Sequence, residues 1–417
     1  MPAPRDVVIT GVGVVCPIGI GREPFWQALD EGISGIDLLP EFAGADLPFR
    51  SGGLIKTFDA KEYVQPRKTL KVMCPEIQAA FAASVLAMQD AGLAKGAVDP
   101  DRLGVVLGSE MLYGDLLEMS DAYRHSVAEG QFAAGDWATH AMRDLFPLWM
   151  LKYLPNMAAC HIGIANDARG PNNSIIQGGV SSLLAMIEAS YVLLRGHGDV
   201  MIAGGSGAAV STSALTFRGW SHLSKSKGPP SQSPRPLDAR RDGTVLGEGS
   251  ACLVLETREH ADRRGAKTLA RVAGFASRFE QPPIRGGAIG SAITAALRQA
   301  NIAPGNVGHV NAHAGGSVEL DAVEARAIRE TLGNVPVTAP KSFFGDLGAG
   351  SGAVELIASV LALAEGRVPR TLNYEQADPR CPVNVVRGAS LTSDKPAAVA
   401  INLSDRGHAV AMVLVRE

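Results

Sequence analysis

Between Val180 and Arg195 the chain is apolar on every face that a helix would present: Leu183, Leu184, Met186, Ile187, Tyr191, Val192, Leu193 and Leu194. A helix apolar all round must lie buried between other layers of structure. The residues around it fix what those layers are. Asn172 to Gln177 is short and partly β-branched, as a strand should be. Gly178 and Gly179 then make a sharp bend that residues without a Cβ take cheaply. Gly196 stops the helix, and Asp199 to Gly204 reads as a second strand. The unit is strand, tight turn, buried helix, strand, so the chain is an α/β protein. The head of such a helix is aimed into the interior, and its free N–H groups and dipole favour negative charge there. A nucleophile or an oxyanion would be stabilised at that point.

The chain has 417 residues, 46% of them hydrophobic. That exceeds the usual single core and predicts two domains or one duplicated unit. The net charge of −3 gives no sign of nucleic-acid binding. Five cysteines, at 16, 74, 160, 252 and 381, show no paired spacing. This argues against a zinc site and a disulfide framework and fits a reducing cytoplasm. The opening MPAPRD is not a signal peptide, and no apolar run is read as a membrane span.

Val7 to Ile9 predicts an opening strand, and TGVGVVCPIG a glycine-rich turn after it. The GxG there invites a dinucleotide reading, but GxGxxG is not completed and no helix follows directly. Arg67, Lys68 and Lys71 precede a helix from about Glu76 to Gly92. Leu103 to Gly108 is a strand. Glu110 to Pro155 is less regular and holds Tyr113, Tyr123, Phe132, Trp137, Phe146, Trp149 and Tyr153. Either a helical cap packs these aromatics, or some of them line a pocket or a partner surface. His161 falls in a buried helix and reads as a core histidine. The second half alternates strands and helices again, with a strand at Ala270–Phe275, helices over 288–300 and 319–332, and a closing strand pair at Ala397–Leu403 and Val410–Val415. His313 follows the strand end at Ala312.

Several stretches resemble the β-ketoacyl carrier-protein synthases, the condensing enzymes of fatty acid and polyketide synthesis. They are GP-x-x-SI before the tight turn, DVMIAGG after the helix, and RPLDARRDGTVLGEGS at 235–250, where a dozen positions agree in order. The likeness covers essentially the whole chain. It implies a thiolase-like five-layer αβαβα fold of two duplicated halves, here 1–256 and 257–417, with no cofactor and no metal. It also implies an acyl carrier protein as partner, docked on basic residues such as Arg67, Lys68 and Lys71; a plain solvated face is the other reading of those three. Dimerisation, with a second copy or with a ketosynthase, would run through Asn172–Gln177.

In these enzymes a cysteine thiolate at the tip of the turn attacks an acyl thioester, and two histidines hold the thioester carbonyl and the enolate. The cysteine position falls here on Gly179. His313 in VNAHAGGS stands for the first histidine, Lys341 in PKSFFGD for the family lysine, and Glu355 for its usual partner. Asp346 stands where the second histidine belongs. The closing loop, glycine-rich with a Phe gate in the family, is here LSDRGHA, with Ser404, Asp405, Arg406 and His408. Glycine offers no nucleophile, and a carboxylate cannot donate the hydrogen bond an enolate needs, so ordinary condensation is not expected. Ser181 and Ser182 in the first helical turn read as caps rather than nucleophiles. Ser404, Asp405 and His408 have the types of a hydrolase triad but stand too close in one loop to form it.

Two functions follow. The first is a non-condensing subunit comparable to a chain-length factor, paired with an active ketosynthase. The second is a rebuilt enzyme acting on acyl thioesters by transfer or hydrolysis. There His313 would be the base, Asp346 beside it, with Asp405, Arg406 and His408 around them.

Overall fold

The computed structural model describes residues 6–42, 47–110 and 114–417. The first half contains β1 (Val7–Cys16), α1 (Pro75–Asp90), β2 (Leu103–Gly108), α2 (Leu116–His125), α3 (Ala134–Asp144), α4 (Trp149–Tyr153), α5 (Met157–Asn166), β3 (Asn172–Ile175), α6 (Ser181–Leu194), β4 (Val200–Ala208) and β5 (Glu248–Thr257). The second contains β6 (Ala270–Phe279), α7 (Gly287–Ala300), β7 (Val307–Asn311), α8 (Leu320–Leu332), β8 (Pro336–Thr338), α9 (Lys341–Phe344), α10 (Ser351–Glu365), β9 (Ala397–Leu403) and β10 (His408–Val415).

The halves repeat one topology. The first sheet runs β3-β2-β4-β5-β1 and the second β8-β7-β9-β10-β6, with a two-residue strand, Asn384–Val385, added parallel to β8 at its edge. In each, the first two pairings are parallel and the last two antiparallel. The sheets join edge to edge where Val7, Val8 and Ile9 pair with Val272, Arg271 and Ala270. Helices α1 and α5 pack with one sheet, α7 and α8 with the other, and α6 and α10 fill the space between the sheets. This is the thiolase-like five-layer arrangement. The middle helices are predominantly apolar because both their sides meet a sheet. The segment Gly348–Glu365 is therefore long and apolar enough to cross a membrane, contrary to the sequence reading, yet it is almost wholly buried inside the fold.

The two middle helices also start alike. Each follows a short 3-10 turn, Gly178–Val180 or Gly348–Gly350. In each the first helical serine accepts a backbone N–H four residues back, Ser181 from Gln177 at 2.8 Å and Ser351 from Leu347 at 2.9 Å.

One expected turn is absent. Val7–Cys16 is a single strand running through both glycines of TGVG. A Cβ on Gly11 or Gly13 would lie 2.4 Å from the Ala87 carbonyl oxygen or 2.1 Å from that of Ala83. The glycines let α1 press against the strand, and they bind no phosphate turn. The aromatic region differs as well. It is helical, but none of its described aromatic residues is buried, and Leu117 and Met142 stand 82% and 87% exposed. Tyr123 packs on Phe132 and Trp137 at the surface, where Phe132 is 51% exposed, while Trp149 and Tyr153 stack on each other half-buried and Tyr153 packs against the core beside α1 and α5. Tyr113 lies outside the described residues.

Candidate active site

The heads of α6 and α10 meet the C-terminal ends of β7 and β9, and there the structure joins three of the expected residues, His313, Lys341 and Glu355, in one hydrogen-bonded network. β7 delivers His313 just past its end, α9 begins with Lys341, and Glu355 sits on the second turn of α10. Lys341 is fully buried. Its Nζ donates to Glu355 Oε1 at 2.5 Å, to the His313 carbonyl at 2.9 Å, and to the His313 ring Nδ1 at 3.1 Å. Asn402 on β9 donates to the other Glu355 oxygen at 2.7 Å.

This fixes the state of His313. A protonated Lys341 can only donate, so Nδ1 is the acceptor and the ring hydrogen sits on Nε2. Burial, and then the Lys341 charge, push the His313 pKa down to about 3, with Asp346 partly opposing. Burial works against the charge on Lys341, but Glu355 and Asp346 hold its pKa above the usual value. Burial pushes Glu355 up to about 7. His313 is thus a neutral Nε2–H donor near pH 7, and the expected role as a base does not fit this arrangement. A donor of that kind suits a thioester carbonyl or an enolate oxygen.

Gly179 lies against that histidine. A Cβ built there would stand 3.3 Å from His313 Cε1 and only 2.9 Å from the Leu403 carbonyl oxygen. The second distance is shorter than real Cβ atoms tolerate, so the chain at Leu403 has closed over the position. Ser181 Oγ donates to the Gly178 carbonyl at 2.7 Å, and Ser182 Oγ accepts the Ala353 N–H at 3.0 Å, joining α6 to α10. Both serines are engaged in holding helices, as the sequence reading had it.

Asp346 does not bond to His313. Its Oδ1 accepts the Gly348 N–H and the Ser351 hydroxyl, both at 2.9 Å. Burial opposes its ionisation, but Lys341 and His313 and these two hydrogen bonds hold its pKa below the usual range. A second carboxylate stands beside it. Glu110 is buried; one oxygen accepts the Ala349 N–H and the other takes Arg218 Nη2, each at 2.8 Å. A Cβ on Gly348 would collide with that Glu110 oxygen at 1.8 Å. The head of α10 is therefore capped by two anions, where its N–H groups favour them.

The closing loop does not surround the histidine. Residues 404–407 make a tight turn between β9 and β10, with the Ser404 N–H donating to the His408 carbonyl at 2.9 Å. Asp405 and Arg406 are exposed. His408 Nε2 pairs with Ser277 Oγ at 2.6 Å. No triad forms, and the set expected around His313 reduces to Asp346. Arg67, Lys68 and Lys71 are exposed on a 3-10 turn ahead of α1, none in a salt bridge with a described residue.

Four residues escaped the sequence reading. Glu110 and Arg218 are one pair. The others are Asp321 and Glu324, near the start of α8. Their i,i+3 spacing puts them on one face, and that face is buried. Glu324 accepts the His313 N–H at 2.7 Å, and Asp321 accepts the N–H of Leu237 and Gly316 at 3.0 Å each. Burial pushes Glu324 up to about 8, and its second oxygen has no partner. Arg241, also buried, ties Asp378 at 2.6 Å to the carbonyls of Ser317 and Val318. The charges of the 235–250 signature thus hold the loop that follows His313.

Comparison with known proteins agrees with this architecture. The family profile described as Beta-ketoacyl synthase, N-terminal domain, matches residues 4–261, and that of the C-terminal domain matches 269–375. The chain is 33% identical to a 3-oxoacyl-[acyl-carrier-protein] synthase 2 of Synechocystis, over 98% of this chain and 97% of that one. It is 32% identical to the tetracenomycin polyketide synthase ketoacyl synthase alpha subunit of Streptomyces glaucescens, over 99% and 98%. Among solved structures, a β-ketoacyl synthase from Burkholderia phymatum superposes with a TM-score of 0.89 at 26% identity, covering 99% of this chain and 100% of that one. A complex described as a type II polyketide acyl-carrier protein with its ketosynthase bound to the hexaketide gives 0.85 at 25%, covering 99% and 100%. The fold of the ishigamide ketosynthase/chain length factor also matches, with a TM-score of 0.87 at 24% identity over the full length of both chains. From the buried helix head to the lysine-held histidine, this chain belongs to the β-ketoacyl synthase family of fatty acid and polyketide synthesis.

Proposed function

We propose that this protein is a non-condensing subunit of the chain-length-factor kind, which pairs with an active ketosynthase and helps shape the space that takes the growing acyl chain. One observation carries the reading: Gly179 has no nucleophile to offer, and the Leu403 carbonyl oxygen stands 2.9 Å from where a Cβ at 179 would lie, too close for a side chain to begin there without a shift. The Lys341, Glu355 and His313 network persists around this closed point and serves the packing of β7, α9 and α10. Asp346 is spent on the head of α10 and donates nothing.

Pairing is supported by two surfaces. β3 is the open edge of the first sheet, with Asn172 and Asn173 exposed. The cap leaves Leu117, Met142 and Phe146 uncovered, which is the mark of an interface. Arg67, Lys68 and Lys71 supply a cationic spot for an acidic acyl carrier protein. The reading of a rebuilt thioester enzyme with His313 as base finds no such support, because Lys341 fills the basic nitrogen.

The test is co-expression with ketosynthases encoded near it. Recovery of a one-to-one complex, with product length changed when this chain is present, supports the proposal. Homodimers alone in every such pairing overturn it. Turnover of acyl- or malonyl-pantetheine by the purified chain that vanishes in His313→Ala would install the enzymatic reading instead.

A further inference from the structure

Two histidines and a carboxylate meet at the outer end of the cap, apart from the His313 site. His125 is the last residue of α2, and His140 and Asp144 stand four apart at the end of α3. Four-residue spacing puts the last two on one helical face. One ligand atom from each of the three lies within 4.8 Å of the other two. At their centre is a cation from the protein itself. Arg143 Nη2 stands 3.1 Å from His125 Nδ1, 3.1 Å from His140 Nδ1 and 3.2 Å from Asp144 Oδ2. The His140 lone pair and the Asp144 carboxylate thus converge on one point that holds positive charge; His125 Nδ1, 2.7 Å from Asp144 Oδ2, donates its hydrogen to that carboxylate and offers a second lone pair once the hydrogen sits on Nε2.

We propose that His125, His140 and Asp144 form a binding site for a divalent zinc-type cation, and that Arg143 occupies the site when the metal is absent. Two imidazoles and a carboxylate are a donor set that zinc, nickel and copper accept, with the remaining position open to water. Zinc needs its donors at about 2.0–2.2 Å. To share an ion, the side chains must rearrange by about 1 Å, with His125 Nδ1 and Asp144 Oδ2, now 2.7 Å apart, separating to admit it, and all three are at least partly exposed. Arg143 is 59% exposed, so it can swing into water without leaving a buried charge. The C-termini of α2 and α3 converge here, and the negative ends of their dipoles favour a cation. A bound metal would tie these two helices together. The absence of paired cysteines does not bear on this site, which uses none, and Cys16, Cys74, Cys252 and Cys381 are too buried to compete.

The test uses the full chain, stripped with chelator and titrated with zinc chloride by calorimetry, or with cobalt by visible absorption. One metal ion per chain is expected. His125→Ala and His140→Ala should each weaken binding at least about tenfold. Asp144→Asn should weaken it less, and Arg143→Ala should tighten it. Circular dichroism of each variant establishes that the helices persist. Wild-type stoichiometry retained in the double histidine variant overturns the site. So does an absence of binding in both wild type and Arg143→Ala. Binding lost in the histidine variants but unchanged in Arg143→Ala keeps the site and overturns the competition.

Discussion

Lys341 Nζ stands 2.5 Å from Glu355 Oε1 and 3.1 Å from the Nδ1 of His313, with all three side chains closed off from water. Breaking a buried pair by removing one partner costs about 3–5 kcal/mol, because the other charge is left without compensation. Lys341→Met should therefore lower the denaturant midpoint sharply. Lys341→Met combined with Glu355→Leu should recover much of the loss. If the double variant is no better than the single one, the ion pair is not what the lysine supplies.

Glu324 and pH are linked in a definite sense. Its folded pKa of about 8 lies above the ordinary 4.5. Between those values the folded chain holds a proton that the unfolded chain has lost. Stability from this group is full below about pH 4.5 and falls as pH rises toward 8, by a few kcal/mol at most. Glu355, pushed up to about 7, acts with the same sign. Urea midpoints measured from pH 5 to 8 should decline, and Glu324→Gln should flatten that decline while keeping an acceptor for the His313 N–H. An equal slope in the variant would remove Glu324 from the account.

Adding back a side chain at position 179 should not restore chemistry. Gly179→Cys and Gly179→Ala both force the Leu403 carbonyl to move, at a cost of about 1–3 kcal/mol. The two should lose similar stability in thermal melts, since the Cβ is the obstacle. Neither should yield a β-ketoacyl product from acyl and malonyl thioesters. A Gly179→Cys protein that condenses them at the rate of its relatives would overturn the closed-site reading.

The basic turn ahead of α1 is accessible to charge reversal. Arg67→Glu, Lys68→Glu and Lys71→Glu together should leave the melting temperature unchanged, since surface changes of this kind stay within about 0.5 kcal/mol. If the turn docks a carrier protein, affinity for the phosphopantetheinylated carrier should fall about tenfold or more, and wild-type binding should weaken with salt. Unchanged affinity in the triple variant would return these residues to the solvated face.

Much of this architecture was legible from the chain. The glycine pair, the all-apolar helix and the strands on either side marked the α6 unit almost to the residue, because burial on all faces leaves one pattern only. The second half repeated the same alternation. What stayed hidden depended on distant neighbours. TGVG looked like a turn because nothing nearby says that α1 presses on Gly11 and Gly13. Glu324 drew no reading because its carboxylate meets the His313 backbone only in three dimensions. The aromatics of the cap stayed open between a packed cap and a pocket or partner surface, since composition cannot tell the two apart. His313 looked like a base until the ammonium of Lys341 was seen on its Nδ1.

The middle layer of α6 and α10 belongs to both sheets at once. Neither half has a complete interior of its own, so neither can open while the other stays shut. In hydrogen exchange the last amides to trade with deuterium should be those of these two helices, at the rate of whole-molecule opening. A chain of 417 residues should then melt in one transition, where its duplicated plan suggests two. The repeat seen in the topology is a unit of geometry, and a single transition would make the entire protein the unit of cooperativity.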